Sequence, residues 1–382
     1  MKIIQVYQTN PFKEGQGGGV RYVKNLLGGI KGSIDEVLFL GLGEKEEAKD
    51  NIKLIPVTKD MTRYVKFLFS LMIKLPFMDL SKYDVVHVHR LYFAIPFILL
   101  KPRLKIVCSL HGRTFSVFES NNSSFKLKLV KPFFMMIEKF AIKHIDYLVP
   151  VSQDVINSFE LKYKDFSKNN NLMVASPFID NMDYHVINSK ESKQYFNLDN
   201  KTTYLGFLGR LSDVKDINFL IELFSSKKNF FLTNNIKLVI FGDGELRNEL
   251  EQIVKNDNLM NIIVFVGEVA PFDIDKVMGA IKILLISSKH ESGPIVMKEA
   301  MMCGIPTISN EVGEVKDYII NGRNGYIVNK DYDSYFKAIN SLLDSPLSKE
   351  EVINNSEEQL KKCSIEYVSN KYLKIYKELI ND

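Results

Sequence analysis

At 382 residues, 46% hydrophobic and 25% charged, the chain is longer than one hydrophobic core ordinarily serves. Two domains of about 150–200 residues are expected, and disorder as the dominant state is excluded. Three cysteines, Cys108, Cys303 and Cys363, with no CxxC pair, exclude a disulfide framework and a zinc ribbon and point to a reducing, cytoplasmic setting. The formal net charge of +4 conceals 26 Lys and Arg against 18 Asp and Glu up to residue 185, and 24 against 28 beyond it; without a recognition motif that excess does not imply a nucleic-acid partner.

A first strand is expected at Ile3 to Tyr7. The opening residues are too short and too soon interrupted for a signal peptide, so no export is expected. Glu14-Gly15-Gln16-Gly17-Gly18-Gly19-Val20 follows, then a helix from near Arg21. Glycines between a strand and a helix N-terminus let backbone amides close on an anion, which makes Gly17, Gly18 and Gly19 candidates for an anion contact. The run lacks the last glycine of G-x-G-x-x-G, as does Gly41-Leu42-Gly43, and no Walker A sequence occurs; a dinucleotide oxidoreductase and a P-loop NTPase are disfavoured.

Near-continuous apolar runs at Glu36 to Leu40, Val85 to His89, Lys105 to Leu110 and Tyr147 to Val151 alternate with helical stretches, the pattern of parallel strands covered on both faces. Arg63 to Phe69 and Phe125 to Phe134 interleave basic and apolar residues; they suit either the surface of an anionic membrane or core helices with solvated lysines. The longest apolar run, Leu91 to Leu100, contains Pro96 and falls well short of the roughly 20 residues of a spanning helix. His87 and His89 share a strand face with no third metal ligand evident, which reads as core or cleft wall.

Between Asn181 and Lys201 the apolar periodicity fades, and the βα pattern restarts at Thr203 to Leu208, with further strands at Lys237 to Phe241, Ile262 to Val266, Ile283 to Ile286 and Thr307 to Ser309. The restarted domain opens on Gly209-Arg210-Leu211, with Lys215 just before a helix expected near Asp216. Two cations beside a helix N-terminus suit a diphosphate leaving group, whose developing charge they stabilise without proton transfer. Asp273-Ile274-Asp275 reads as a helix N-cap region. In Glu291-Ser292-Gly293-Pro294-Ile295-Val296-Met297-Lys298-Glu299, a loop carboxylate precedes a helical one, a pairing suited to sugar and ribose hydroxyls. Ile365 to Ile380 closes the chain as an amphipathic helix.

Taken in order, Gly17 to Gly19, Asp84-Val85-Val86-His87-Val88-His89, Leu110-His111-Gly112, Pro150-Val151-Ser152, Pro177-Phe178-Ile179-Asp180, Gly209-Arg210 with Lys215, Phe241-Gly242-Asp243-Gly244-Glu245 and the Glu291/Glu299 pair cover nearly the whole chain. In this set the sequence resembles the retaining glycosyltransferases of the GT-B fold, family 4. The resemblance implies an α/β chain of two facing Rossmann-like, doubly wound domains with a cleft between them. Residues 1–185, completed by the helix 365–382, would take the acceptor, and residues 200–364 the nucleotide-sugar donor.

Residue by residue, the resemblance implies that Arg210 and Lys215 hold the diphosphate, Glu299 the ribose hydroxyls and Glu291 the donor sugar, at which His111 points. Gly17, Gly18, Gly19, Gly209, Gly242, Gly244, Gly293, Pro294, Ile295 and Val296 complete the donor-binding set. Glu291-Ser292-Gly293-Pro294 departs from the Glu-Gly-Phe-Gly often found in the family, and Val312-Gly313-Glu314 lacks a common second glycine. The leaving phosphate would serve as base, through an oxocarbenium-like transition state; a carboxylate nucleophile at Glu291 is the alternative. The implied reaction moves a hexose or N-acetylhexosamine from a UDP-sugar to a surface polysaccharide or lipid-linked glycan at the cytoplasmic membrane face, with no resident cofactor or metal. A non-catalytic partner subunit and a nucleotide-sugar epimerase are the competing expectations.

Overall fold

A computed structural model describes residues 1–13, 18–60, 64–111, 125–179, 184–291 and 293–381, with the backbone alone for 125–131 and 133. The chain forms two compact units, one of Met1–Phe178 with Ile365–Asp382 and one of Ile179–Ser364.

The first unit is built on a sheet of β1 (Lys2–Val6), β2 (Glu36–Leu42), β3 (Glu47–Lys49), β4 (Ile52–Thr58), β5 (Val85–Val88), β6 (Lys105–Leu110) and β7 (Tyr147–Pro150). Its order is β3-β4-β2-β1-β5-β6-β7. All pairs are parallel except β3 with β4. The sequence reading had no strand at β3 or β4. Pro56 disguises β4, since proline cannot donate to a ladder. It is tolerated there because β3 pairs only with Ile52, Lys53 and Leu54, so the outer side of β4 is already an edge at Pro56.

The glycine-rich segment enters its helix earlier than expected, at Gly18–Ile30. A Cβ on Gly19 would stand 2.3 Å from the Tyr7 hydroxyl oxygen, so the first turn lies directly on the end of β1. Leu26, Val23 and Ile30 of this helix are fully buried. The C-terminal helix, Ile365–Asn381, packs Val368, Tyr372, Ile375 and Tyr376 into the same core. Each such large apolar side chain contributes roughly 1.5–3 kcal/mol by leaving water.

The second unit carries β8 (Thr203–Leu208), β9 (Ile236–Phe241), β10 (Ile263–Gly267), β11 (Ile283–Ile286), β12 (Thr307–Asn310) and β13 (Gly325–Val328). They form a wholly parallel sheet in the order β10-β9-β8-β11-β12-β13. Along β9 the side chains alternate between two cores, Leu238 and Ile240 to one and Val239 and Phe241 to the other, as both-faced burial requires. The sequence reading missed β13, a four-residue strand entered through Asn324 and Gly325. The polar stretch expected as a linker holds a helix, Ser189–Tyr195, capped by the Asn188 side chain on the Lys190 amide at 2.8 Å.

Both sheets reverse their winding at one point, between β1 and β5 in the first and between β8 and β11 in the second. The carboxyl ends of strands flanking such a switch point are where open α/β sheets bind ligands. No helix among the described residues is long and apolar enough to cross a membrane. The helix Tyr64–Lys74 buries Phe67 and Leu71 and leaves Tyr64, Val65, Phe69 and Ile73 exposed, with Phe77 exposed just beyond.

Candidate functional site

In the second unit, β8 runs out into Gly209-Arg210-Leu211, held by backbone bonds from the Gly209 amide to Phe241 O at 3.0 Å and from the Leu211 amide to Asp243 O at 2.9 Å. Gly242 has φ +124°, and a Cβ there would stand 1.9 Å from the Gly209 carbonyl oxygen. At Gly244 a Cβ would stand 2.4 Å from Leu211 O. Close backbone packing therefore explains both glycines before any ligand is considered. Arg210 is exposed and reaches Glu245 at 3.0 Å.

Lys215 ends a short turn, Asp213–Lys215, ahead of the helix Ile217–Ser226, and Asp216 between them takes the left-handed conformation at φ 48°. Three residues secure this turn. Ser287, just past β11, donates its hydroxyl to the carbonyls of Lys215 and Asp216, both at 3.0 Å; the Lys289 amide donates to Val214 O at 2.8 Å; and Lys330 pairs with Asp216 at 2.6 Å. The turn is thus fastened to the end of β11, and Lys215 forms an ion pair with Glu291. Ser288 donates to the same Glu291 oxygen at 2.7 Å. The structure therefore joins two residues that the sequence reading had given separate tasks.

Pro294 leads into the helix Ile295–Met302 as its N-cap residue and supplies no side-chain cap bond. Gly293, Ile295 and Val296 are half-buried beside it. Glu299, on that helix, is almost fully buried and accepts from the Tyr184 hydroxyl at 2.8 Å. Beside it, Lys298 pairs with Glu314 at 3.0 Å with both side chains sealed from water, and its ammonium lies 4.4 Å from the Tyr318 ring centre. Sequence reasoning missed Lys298 and Tyr184. A lysine in an otherwise apolar helical run was the available signal, together with the departure at Glu314. Asp273 caps its helix by position, with no cap bond from its side chain, which pairs with Lys276 instead.

In the first unit, the carboxyl ends of β1, β5 and β6 carry Tyr7, His89 and His111. His111 Nε2 lies 3.2 Å from His89 Nδ1. Burial, and then the Arg90 charge, push the His111 imidazole down to about 3. Burial likewise holds His87 and His89 well below their usual range, so all three rings stay neutral. No metal-binding cluster of His, Cys, Asp or Glu occurs among the described residues. Gly18 and Gly19 lie in the first helical turn beside Tyr7. Gly17, Gly112, Asp180 and Ser292 fall outside the described residues.

Comparison with known proteins agrees with this arrangement. The family description "Glycosyltransferase Family 4" matches residues 16–181 and "Glycosyl transferases group 1" matches residues 188–359. The chain is similar to N-acetyl-alpha-D-glucosaminyl L-malate synthase of Bacillus anthracis, 25% identical over 309 residues, 78% of this chain and 76% of that one. It is also similar to a Campylobacter jejuni alpha-1,4-N-acetyl-D-galactosaminyltransferase named for an undecaprenol-linked substrate, 30% identical over 178 residues, 46% of this chain and 48% of that one. Among solved structures, sucrose-phosphate synthase from Thermosynechococcus elongatus superposes with a TM-score of 0.81 at 17% identity, covering 100% of this chain and 99% of that one. Anabaena HepE in complex with UDP and glucose gives 0.74 at 16% identity, covering 98% and 99%. With both halves matched and two Rossmann-ordered sheets in place, the chain belongs to the group 1, family 4 glycosyltransferases and has the GT-B fold.

Proposed function

We propose that this glycosyltransferase moves a hexose or N-acetylhexosamine from a UDP-sugar, with retention, to a surface polysaccharide or lipid-linked glycan. The observation that carries the reading is the cluster at the ends of β8 and β11. Lys215, paired with Glu291 and backed by Ser287 and Ser288 at the end of β11, lies against Gly209, next to Arg210 at the end of β8. A diphosphate entering there exchanges one carboxylate partner of Lys215 for phosphate oxygens, and Glu291 is released to accept from sugar hydroxyls. Arg210 makes the same exchange from Glu245. Glu299, already accepting from Tyr184, takes the ribose hydroxyls.

Two cations supply the charge that the departing diphosphate needs, and this reading assigns no metal and no resident cofactor to the step. Solved relatives in complex with UDP, with UDP and glucose, and with UDP-glucose favour UDP as the carrier. The Campylobacter relative favours a lipid-linked acceptor. Contact with the inner membrane face is part of the proposal, supported by the exposed Val65, Phe69 and Ile73 beside Lys66 and Lys74.

The test is a panel of UDP- and GDP-sugars incubated with the purified protein, first alone and then with lipid-linked glycans, with released nucleotide and product sugar both measured. UDP release from one donor, lost in Arg210→Ala and Glu291→Ala, supports the reading. Conversion of a donor into its epimer without acceptor would replace it with the epimerase, and silence of every donor and acceptor with the partner subunit.

A further inference from the structure

Tyr335, fully buried on the helix Tyr332–Asp344, sets its hydroxyl between the ends of two neighbouring strands. Ile286 and Asn310 are the last residues of β11 and β12. Tyr335 Oη accepts from the Asn310 amide at 2.8 Å, and its one hydrogen is shared between Ile286 O at 2.6 Å and Asn310 Oδ1 at 3.0 Å. Burial pushes this hydroxyl well above its usual range, so the hydrogen stays in place. The ring packs edge-on against Phe219 with centres 4.9 Å apart, and Tyr332 lies 5.1 Å from the same ring. Rigid packing thus holds the hydroxyl where the strands end.

A short chain of side chains leads from there to the site. Asn310 Nδ2 donates to Ser288 O at 3.1 Å, and Ser288 Oγ donates to Glu291 Oε1 at 2.7 Å. A carbonyl oxygen only accepts, which fixes the Asn310 amide with its NH2 toward Ser288. Among the described residues Glu291 has two partners, the Ser288 hydroxyl and the Lys215 ammonium. A diphosphate that draws Lys215 away leaves the carboxylate on Ser288 alone. Ser288, itself buried, takes its place from Asn310 and the joined strand ends. Lys330, two residues ahead of the tyrosine helix, pairs with Asp216 next to Lys215 at 2.6 Å. The stretch from Lys330 to Tyr335 therefore registers both members of the Lys215–Glu291 pair.

We propose that Tyr335 is a positioning residue of the transfer reaction: through Asn310 and Ser288 it sets where the Glu291 carboxylate stands once Lys215 has turned to phosphate. This rests on the donor-site reading of Lys215 and Glu291 given above. Tyr335 touches no substrate, and its effect on turnover passes through Glu291 only.

Tyr335→Phe, Asn310→Ala and Ser288→Ala break the chain at successive links. Each is made in the wild type and in Glu291→Ala, and kcat and KM are measured with the donor found by the panel. In the wild type each is expected to lower kcat/KM by about 10-fold, and in Glu291→Ala, where no carboxylate is left to place, by about 2-fold or less. Equal losses in the two backgrounds overturn the proposal and leave the network a staple of the strand ends. If Tyr335→Phe does not fold, Asn310→Ala carries the same comparison. Crystal structures of Lys215→Ala and of Lys215→Ala with Tyr335→Phe give a readout that needs no turnover. Glu291 is expected to stay on Ser288 in the first and to leave it in the second; a carboxylate ordered at the same place in both overturns the proposal. Unchanged turnover in Glu291→Ala instead removes the sugar-binding reading of Glu291, whatever the crystal structures show.

Discussion

Lys298 and Glu314 face each other across the interior of the second unit at 3.0 Å, on a helix and on the loop after β12, with neither side chain reaching water. The pair sits one residue from Glu299, so the helix that carries a proposed ribose ligand is tied to the Val312-Gly313-Glu314 loop by charge as well as by packing. A buried ion pair of this kind holds geometry more than it adds net stability. Lys298→Met and Glu314→Gln each strand a buried partner and are expected to cost about 3–5 kcal/mol. Replacing both by apolar residues is expected to cost far less. Urea denaturation of the two single variants and the double variant measures this, and equal losses in all three would contradict it.

Lys215 and Arg210 are expected to matter to turnover and not to folding. Arg210 is exposed, and its pair with Glu245 is a surface contact whose loss leaves stability unchanged. Arg210→Ala and Lys215→Ala are each expected to lower kcat by about 100- to 1,000-fold, the cost of removing one donor from a charge-stabilising site. Thermal unfolding checks the first half of the claim and nucleotide release the second.

The three neutral histidines make the first unit sensitive to acid. In the unfolded chain they take up protons near 6.5, whereas the folded His111 does so only at about 3, and His87 and His89 are held well below the usual range. The unfolded state binds more protons throughout that interval. Stability is therefore full well above pH 6.5 and falls as pH drops below it, with a slope approaching about 1.4 kcal/mol per pH unit for each histidine that stays neutral in the folded state. Denaturant midpoints at pH 7.5, 6.5 and 5.5 report it; a flat profile would mean that the rings are not buried.

Gly242→Ala is expected to cost about 2 kcal/mol or more, because the residue holds φ +124° and its new methyl would meet Gly209 O. The same change displaces the Gly209-Arg210 backbone, so nucleotide affinity is expected to fall with stability. Calorimetry with UDP alongside thermal unfolding separates the two effects.

Phe69→Ser with Ile73→Ser is expected to release the chain from vesicles containing anionic lipid. Each side chain is exposed in the structure, so the folded state is untouched, while each removes roughly 1.5–3 kcal/mol of insertion into the interface. Co-sedimentation with anionic and with zwitterionic vesicles is the measurement. Equal binding of wild type and variant to both would remove the membrane from the proposal.

Alternating apolar runs and turn residues were enough to read two parallel α/β domains, because a strand buried on both faces leaves a continuous apolar signature wherever it lies. The loop that carries Arg210 and Lys215 and the segment from Glu291 to Glu299 were legible for a similar reason: charged and glycine residues stand out at strand ends. Strands β3, β4 and β13 were not, since β3 is the short polar run Glu47-Ala48-Lys49, Pro56 interrupts β4 and β13 opens on Gly325. What only the tertiary structure decided is which distant residues meet. Lys215 reaches Glu291 because β8 and β11 are neighbours in the sheet. Lys298 finds Glu314 because a helix and a later loop share one core. Local sequence carries propensity and periodicity, whereas these pairings depend on strand order and on the closing of long loops, which no window of residues contains.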